Sequence, residues 1–196
     1  MYLDTILFPI ITLGPGNRLV IWTKGCSKKC KGCANPELWS NKNAKNVSGD
    51  ELCAIINEIK KENRVDGITF TGGDPLEQYD EIIAFLEKIK PSVNDILMYT
   101  GYTYEELNQL HSKEEIQHLR KLVSVLIDGK YEEEKNYSYL ALRGSENQNI
   151  WYFDDNVIEK YEEYLKLGRT IQNVQMGMKI ISAGIHNREG DNDAKN

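Results

Sequence analysis

Ile68-Thr69-Phe70-Thr71-Gly72-Gly73-Asp74-Pro75 is a short β-branched and aromatic run that stops at a glycine pair and a proline. Such a run is too short for a helix and reads as a buried strand followed by a sharp turn. Downstream, Ile82, Ile83, Leu86 and Ile89 recur at helical spacing until Pro91, which ends the pattern. Ile96-Leu97-Met98-Tyr99 is the next strand, and Val123-Ser124-Val125-Leu126-Ile127 another. The starts at 68, 96 and 123 are almost evenly spaced, with helical stretches between them. Strand, helix, strand at that spacing is the repeating unit of a parallel sheet, so the fold class is α/β.

Upstream, Ser48 and Glu51 fit a capping box that opens a helix with Leu52, Ile55, Ile56 and Ile59 turned inward. Thr5 to Leu13 and Leu19 to Thr23 read as two extended segments joined by a turn at Gly14-Pro15-Gly16-Asn17. Residues 40–48 read as a solvated connection. Thr103 and Glu106 repeat the capping-box spacing ahead of a helical stretch that runs brokenly to Arg120. Beyond residue 128 a loop leads to a strand at Ile150 to Phe153. A helix follows with Val157, Ile158, Tyr161 and Leu165 on one face, then a hairpin around Gly177 from Arg169 to Ile185. The expected organisation is a core over 1–150, a helix and hairpin extension of the same domain over 151–186, and a disordered polar tail over 187–196.

The 196 residues carry 24 Lys and Arg against 30 Asp and Glu, a net charge of −6. An acidic chain is a poor general nucleic-acid binder. Mean hydropathy is −0.52 and no long apolar run occurs, so no membrane span is expected. The first dozen residues include Asp4 and no basic residue, unlike a secretory leader. A cytoplasmic chain with reduced thiols is the expectation.

Three of the four cysteines, Cys26, Cys30 and Cys33, form C-x3-C-x2-C. A ferredoxin cluster takes four thiolates, one per iron. Three leave one iron of a 4Fe–4S cubane open to a small molecule, by the logic of a catalytic zinc site that keeps one position free. The competing reading is a structural zinc knot with Cys53 or a His as fourth ligand. Zinc ligands more often come in pairs spaced by two, and Cys53 falls inside the amphipathic helix, where it reads as a half-buried small residue. Lys24, Lys28, Lys29 and Lys31 surround the triad and suit docking of an acidic electron donor. A merely solvated loop explains them equally. His111, His118 and His186 have no partner pattern.

The triad resembles the signature of the radical S-adenosylmethionine enzymes, and Gly72-Gly73-Asp74-Pro75 is similar to that superfamily's second motif. Gly14-Pro15-Gly16-Asn17-Arg18, Asn35-Pro36-Glu37-Leu38-Trp39, Tyr99-Thr100-Gly101-Tyr102, Ile127-Asp128-Gly129 and Arg143-Gly144-Ser145-Glu146-Asn147-Gln148 narrow the resemblance. In that order they resemble the activating proteins of anaerobic ribonucleoside-triphosphate reductases. Gly32 stands where many superfamily members have an aromatic residue, as suits this subgroup. The tail after Gln148 is longer than its short members need.

The resemblance implies a partial β/α barrel with a mainly parallel sheet. It implies a 4Fe–4S cluster on Cys26, Cys30 and Cys33 that holds S-adenosylmethionine at its open iron, with no catalytic residue beyond the cluster and cofactor. Gly72, Gly73, Asp74 and Pro75 are then cofactor-binding residues, the glycines bringing bare backbone close to the ligand. Thr100 and Asp128 are candidate polar contacts, although a helix cap and a turn explain them as well. Arg143, Ser145, Asn147 and Gln148 would close the site from a later strand. The implied reaction makes a 5′-deoxyadenosyl radical that takes hydrogen from a glycine of the large reductase subunit, with a flavodoxin or ferredoxin as electron donor. Two rivals stand beside it. One is the same chemistry on another glycyl-radical enzyme or a peptide. The other is a non-catalytic iron–sulfur or zinc module.

Overall fold

The computed structural model describes residues 1–187. A seven-stranded sheet forms its centre, with β1 (Tyr2–Ile10), β2 (Arg18–Thr23), β3 (Lys45–Asn46), β4 (Gly67–Gly72), β5 (Ile96–Tyr99), β6 (Val125–Asp128) and β7 (Asn149–Tyr152). The order across it is β3-β1-β2-β4-β5-β6-β7. The central strands β2, β4, β5 and β6 run parallel, while β1, β3 and β7 pair antiparallel with their neighbours at the two sides. Each parallel strand lies beside the next in sequence, so the sheet winds in one direction without a switch point.

The helices are α1 (Gly49–Glu62), α2 (Tyr79–Ile89), α3 (Tyr104–Leu110), α4 (Lys113–Leu122) and α5 (Ile158–Leu165). Leu52, Ile56, Ile82, Phe85, Leu107 and Leu119 from α1 to α4 pack in one core with Leu19, Ile21, Ile68, Phe70, Ile96, Met98 and Leu126 of the parallel strands. The alternate strand residues face the other way. Leu97, Val125 and Ile127 meet Leu142, Val157 and Tyr161, while Val20 and Trp22 meet Leu38 and the hairpin β8 (Ile171–Met176) and β9 (Lys179–Gly184). A sheet covered on both faces explains why β2 is buried along its whole length.

Both expected capping boxes form, at Ser48 with Glu51 and at Thr103 with Glu106. Four expectations need correction. The first strand begins at Tyr2 and ends at Ile10, because the chain turns before Leu13. The connection at 40–48 contains β3, whose two residues carry no pattern. The broken stretch to Arg120 is two helices, split where Ser112 and Glu115 make a third capping box. Ile55 is exposed, so the inward face of α1 is narrower than its spacing suggests. Of the expected tail, Asn187 is described, and residues 188–196 lie outside the described residues. No helix among the described residues is long and apolar enough to cross a membrane.

Beneath the sheet, Arg18 is fully buried and donates to Asp95 Oδ2 at 2.8 Å, Thr69 Oγ1 at 2.6 Å and the Ile68 carbonyl at 2.8 Å. Asp95 also accepts from the Tyr161 hydroxyl at 2.9 Å and pairs with Lys160 at 2.6 Å. Burial opposes the Asp95 carboxylate, yet Arg18 and Lys160 hold its pKa below the ordinary range. The network pins β2, β4 and the start of β5 to α5.

Candidate active site at the carboxyl ends of the parallel strands

Parallel strands deliver their following loops to one edge, where α/β proteins build their sites. The cysteine loop follows β2, Gly72-Gly73-Asp74-Pro75 closes β4, Thr100 and Gly101 follow β5, and Asp128 ends β6. The structure brings these segments together through the backbone. Gly73 N donates to the Thr23 carbonyl and Asp74 N to the Gly25 carbonyl, both at 2.8 Å. On its other side the loop is held by Gly25 N to Leu38 O and Cys26 N to Trp39 O, both at 2.9 Å.

The glycine pair is required inside the chain itself. Gly72 has φ +98, and a Cβ there would lie 2.7 Å from the Thr23 carbonyl oxygen. A Cβ on Gly73 would strike the Gly25 carbonyl, with the carbonyl carbon at 3.0 Å. The close approach expected of these glycines is thus made to the root of the cysteine loop.

Asp74 is buried and central. Its Oδ1 accepts from Leu76 N at 3.1 Å and the Thr100 hydroxyl at 2.9 Å, and its Oδ2 accepts from Gly101 N at 2.9 Å. Burial pushes its pKa up to about 6, while those three hydrogen bonds pull the other way. Thr100 is therefore a partner of Asp74. Asp128 accepts from Tyr104 N at 2.6 Å and from the Asn149 side chain at 2.9 Å. Its carboxylate ties β6 to the start of α3 and to β7. Pro75 opens a short 3-10 turn over Pro75–Gln78 that leads into α2.

Two residues of that turn brace the cysteine loop. Glu77 Oε1 accepts from Ser27 N and Oγ, each at 2.6 Å. The Gln78 amide nitrogen donates to the Tyr2 and Lys24 carbonyls at 3.1 Å. Sequence reading passed over both, although their place directly after Gly-Gly-Asp-Pro was a usable signal.

Cys26, Cys30 and Cys33 are free thiols of intermediate exposure, and burial pushes the Cys26 thiol up. A metal that takes this thiol as thiolate displaces a proton. Cys53 stands on α1, half-buried against the helical core. Among the described residues, no three His, Cys, Asp or Glu side chains gather closely enough to hold a single metal ion.

The root of the loop nevertheless borders open space. Gly25, at φ +97, has nothing within 4 Å of an added Cβ. In the loop before β7, Arg143 Nε and Asn147 Oδ1 are buried polar atoms without a hydrogen-bond partner among the described residues. Asn147 donates to the Lys130 carbonyl at 2.8 Å and Gln148 to the Gly129 carbonyl at 2.9 Å, which places this loop beside the end of β6.

The basic cluster around the triad is mostly spent internally. Lys24 is buried and lies 3.6 Å from Asp4. Lys28 sits over the Tyr102 ring at 3.2 Å, and Lys31 pairs with Glu133 at 3.2 Å. Only Lys29 of the four projects to solvent without a partner among the described residues. His111 stacks on Tyr79 and His118 meets Glu87.

The family profile described as a 4Fe-4S single cluster domain matches residues 12–151. The chain is 35% identical over 150 residues to an anaerobic ribonucleoside-triphosphate reductase-activating protein of Enterobacteria phage T4, covering 74% of this chain and 89% of that one. Proteins of the same name from Vibrio cholerae serotype O1 and Escherichia coli K12 are 32% and 31% identical. They cover 74% and 73% of this chain and 95% and 94% of their own. The cluster-domain match sets aside the zinc alternative. Fold, cysteine loop and these matches together show that the chain belongs to the anaerobic ribonucleoside-triphosphate reductase-activating proteins, with their 4Fe-4S single cluster domain.

Proposed function

We propose that this chain is a radical S-adenosylmethionine enzyme that installs a glycyl radical on an anaerobic ribonucleotide reductase. The supporting observation is the hydrogen-bonded seam from Gly25 through Gly73 and Asp74 to Thr100 and Gly101. It locks the cysteine loop to the two neighbouring strand ends, so that a cluster on the loop and a ligand at the glycine turn share one edge. In this reading Cys26, Cys30 and Cys33 hold a 4Fe–4S cluster. When bound, that cluster supplies the electron that splits S-adenosylmethionine into methionine and a 5′-deoxyadenosyl radical, which removes hydrogen from the reductase glycine.

The chain's own residues bind, orient and exclude water. Gly72, Gly73 and Pro75 shape the turn on which the ligand rests. Asp74, with both oxygens already accepting, acts by fixing Thr100 and Gly101. Asp128 fixes the adjoining loop. Arg143 Nε and Asn147 Oδ1 offer a donor and an acceptor that no described residue engages. Trp22, Leu97, Tyr99 and Ile127 line the sheet face away from α1 to α4 and keep it apolar. One-directional winding with α1 to α4 on a single face supports the partial barrel. Residues 1–150 form its core, and 151–186 extend the same domain. We assign the large reductase subunit as partner, a flavodoxin or ferredoxin as donor, and the cytoplasm as location. The extension past residue 151 keeps another glycyl-radical enzyme or a peptide as the second reading of the target.

The test is anaerobic reconstitution followed by dithionite and S-adenosylmethionine. The proposal expects 5′-deoxyadenosine and methionine in equal amounts. A fully loaded cluster that yields neither overturns it.

A further inference from the structure

Arg169 lies past the end of the family match, in the turn between α5 and β8. Its guanidinium reaches back to the loop that carries Arg143. Nε donates to the Leu140 carbonyl at 2.8 Å. Nη1 donates to Asn136 Oδ1 at 2.6 Å, the His186 carbonyl at 2.9 Å and Asn187 Oδ1 at 3.1 Å. Nη2 donates to the Arg143 and Gly144 carbonyls at 3.1 and 3.2 Å. One side chain thus holds both ends of the extension's hairpin and four residues of the loop.

That loop is under strain. Leu142 has φ 60, a left-handed conformation costly for a leucine, and is buried. Such a residue persists only where its surroundings over-determine it. The Tyr99 hydroxyl donates to the Leu142 carbonyl at 2.9 Å on one side. Arg169 holds the carbonyls of Leu140, Arg143 and Gly144 around it.

From there the order propagates to the site. Arg143 Nη1 donates to the Gln148 carbonyl at 3.0 Å, and Gln148 Oε1 accepts from Gly144 N at 2.8 Å. Gln148 Nε2 in turn donates to the carbonyl of Gly129, which follows Asp128 at the end of β6. The loop's two buried polar atoms without a hydrogen-bond partner among the described residues, Arg143 Nε and Asn147 Oδ1, are placed by this chain of contacts.

We propose that Arg169 is a positioning residue: it holds the 136–148 loop in the strained conformation that presents Arg143 and Asn147 to S-adenosylmethionine. This rests on the function proposed above. It also gives the extension a task, since the family match ends at residue 151, where the extension begins. A lysine cannot replace the guanidinium, whose fan of N–H donors reaches carbonyls in several directions at once.

The full-length chain, Arg169→Ala and Arg169→Lys are compared with reconstituted cluster. For Arg169→Ala we expect unchanged iron and sulfide, a KM for S-adenosylmethionine raised about tenfold, and kcat changed less than about twofold. Arg169→Lys recovers less than half of the loss. Simple destabilisation lowers the active fraction and hence kcat, so it does not produce this split. Hydrogen exchange of the cluster-free chain should accelerate at residues 136–148 and not at β2, β4 or β5. An unchanged KM, or exchange that accelerates across the whole chain, overturns the proposal. A wild-type chain that cleaves no S-adenosylmethionine overturns the underlying reading instead. In that event local exchange alone decides whether Arg169 orders the loop, and an unchanged loop refutes it.

Discussion

Replacing Gly73 by alanine puts a methyl group against the Gly25 carbonyl, one residue before Cys26. The built Cβ lies 3.0 Å from the Gly25 carbonyl carbon and 3.1 Å from its nitrogen. Carbon contacts relax at about 3.5–4.0 Å, so the loop root must retreat by roughly 1 Å. Neither neighbour is a flexible side-chain end that can swing away. The retreat stretches the Asp74 N to Gly25 O bond, now 2.8 Å. Losing that bond costs about 0.5–1.5 kcal/mol, and the overpacking itself costs about 1–3 kcal/mol. A total of about 1.5–4.5 kcal/mol lowers Tm by roughly 3–18 °C in a chain of this size. Because the displaced residues lead directly into Cys26, cluster content should fall with stability. Gly49→Ala is the control: its Cβ meets Phe85 at an ordinary 3.6 Å in the first turn of α1. That change should be neutral or stabilise by up to about 1 kcal/mol. Thermal melting of the cluster-free chain and iron and sulfide analysis after reconstitution read both effects. A Gly73→Ala chain with wild-type Tm and a full cluster refutes the seam.

Asp95→Ala leaves Arg18 buried without its carboxylate and should cost about 3–5 kcal/mol in denaturant unfolding, whereas a loss below about 1 kcal/mol would show that the network carries little stability. Asp74 has a folded pKa of about 6 against an ordinary 3.8. Its stabilising contribution is therefore full at low pH and is lost as pH rises through about 6, by at most about 3 kcal/mol. The stability gap between wild type and Asp74→Asn should narrow from pH 5 to pH 7.5 in the cluster-free chain, and a constant gap contradicts the raised pKa. Alanine at Cys26, Cys30 or Cys33 should each abolish the cluster's visible absorption. Cys53→Ala should retain it, and loss of the cluster in that variant would reassign the ligands.

The parallel sheet was legible from evenly spaced apolar runs and from capping boxes, because those signals are local. The third box, Ser112 with Glu115, was equally local but was hidden inside a stretch read as one broken helix. β3 has two residues and pairs with β1, its Asn46 side chain accepting from the Met1 ammonium, so no alternation of apolar residues marks it in the sequence. The candidate site was legible as motifs, but their division of labour was not. Gly73 looks the same in sequence whether it admits a ligand or the backbone of Gly25. Asp74 and Asp128 were readable as ligand contacts, and the structure adds the internal partners that no motif announces: Thr100, Gly101, Tyr104 and Asn149. Arg18 and Arg169 were the least legible, since their partners lie far away in sequence and only tertiary contact identifies them. The four lysines around the triad overstated the exposed charge for the same reason.

The most direct measurement follows hydrogen from the target. The reductase is prepared with deuterium at glycine Cα and mixed anaerobically with reconstituted protein, dithionite and S-adenosylmethionine. The account predicts deuterium in 5′-deoxyadenosine together with an electron paramagnetic resonance signal from one backbone glycine of the reductase, a doublet with unlabelled reductase that collapses when the hydrogen left on Cα is deuterium. Cleavage of S-adenosylmethionine with no deuterium transferred and no glycine radical would contradict it.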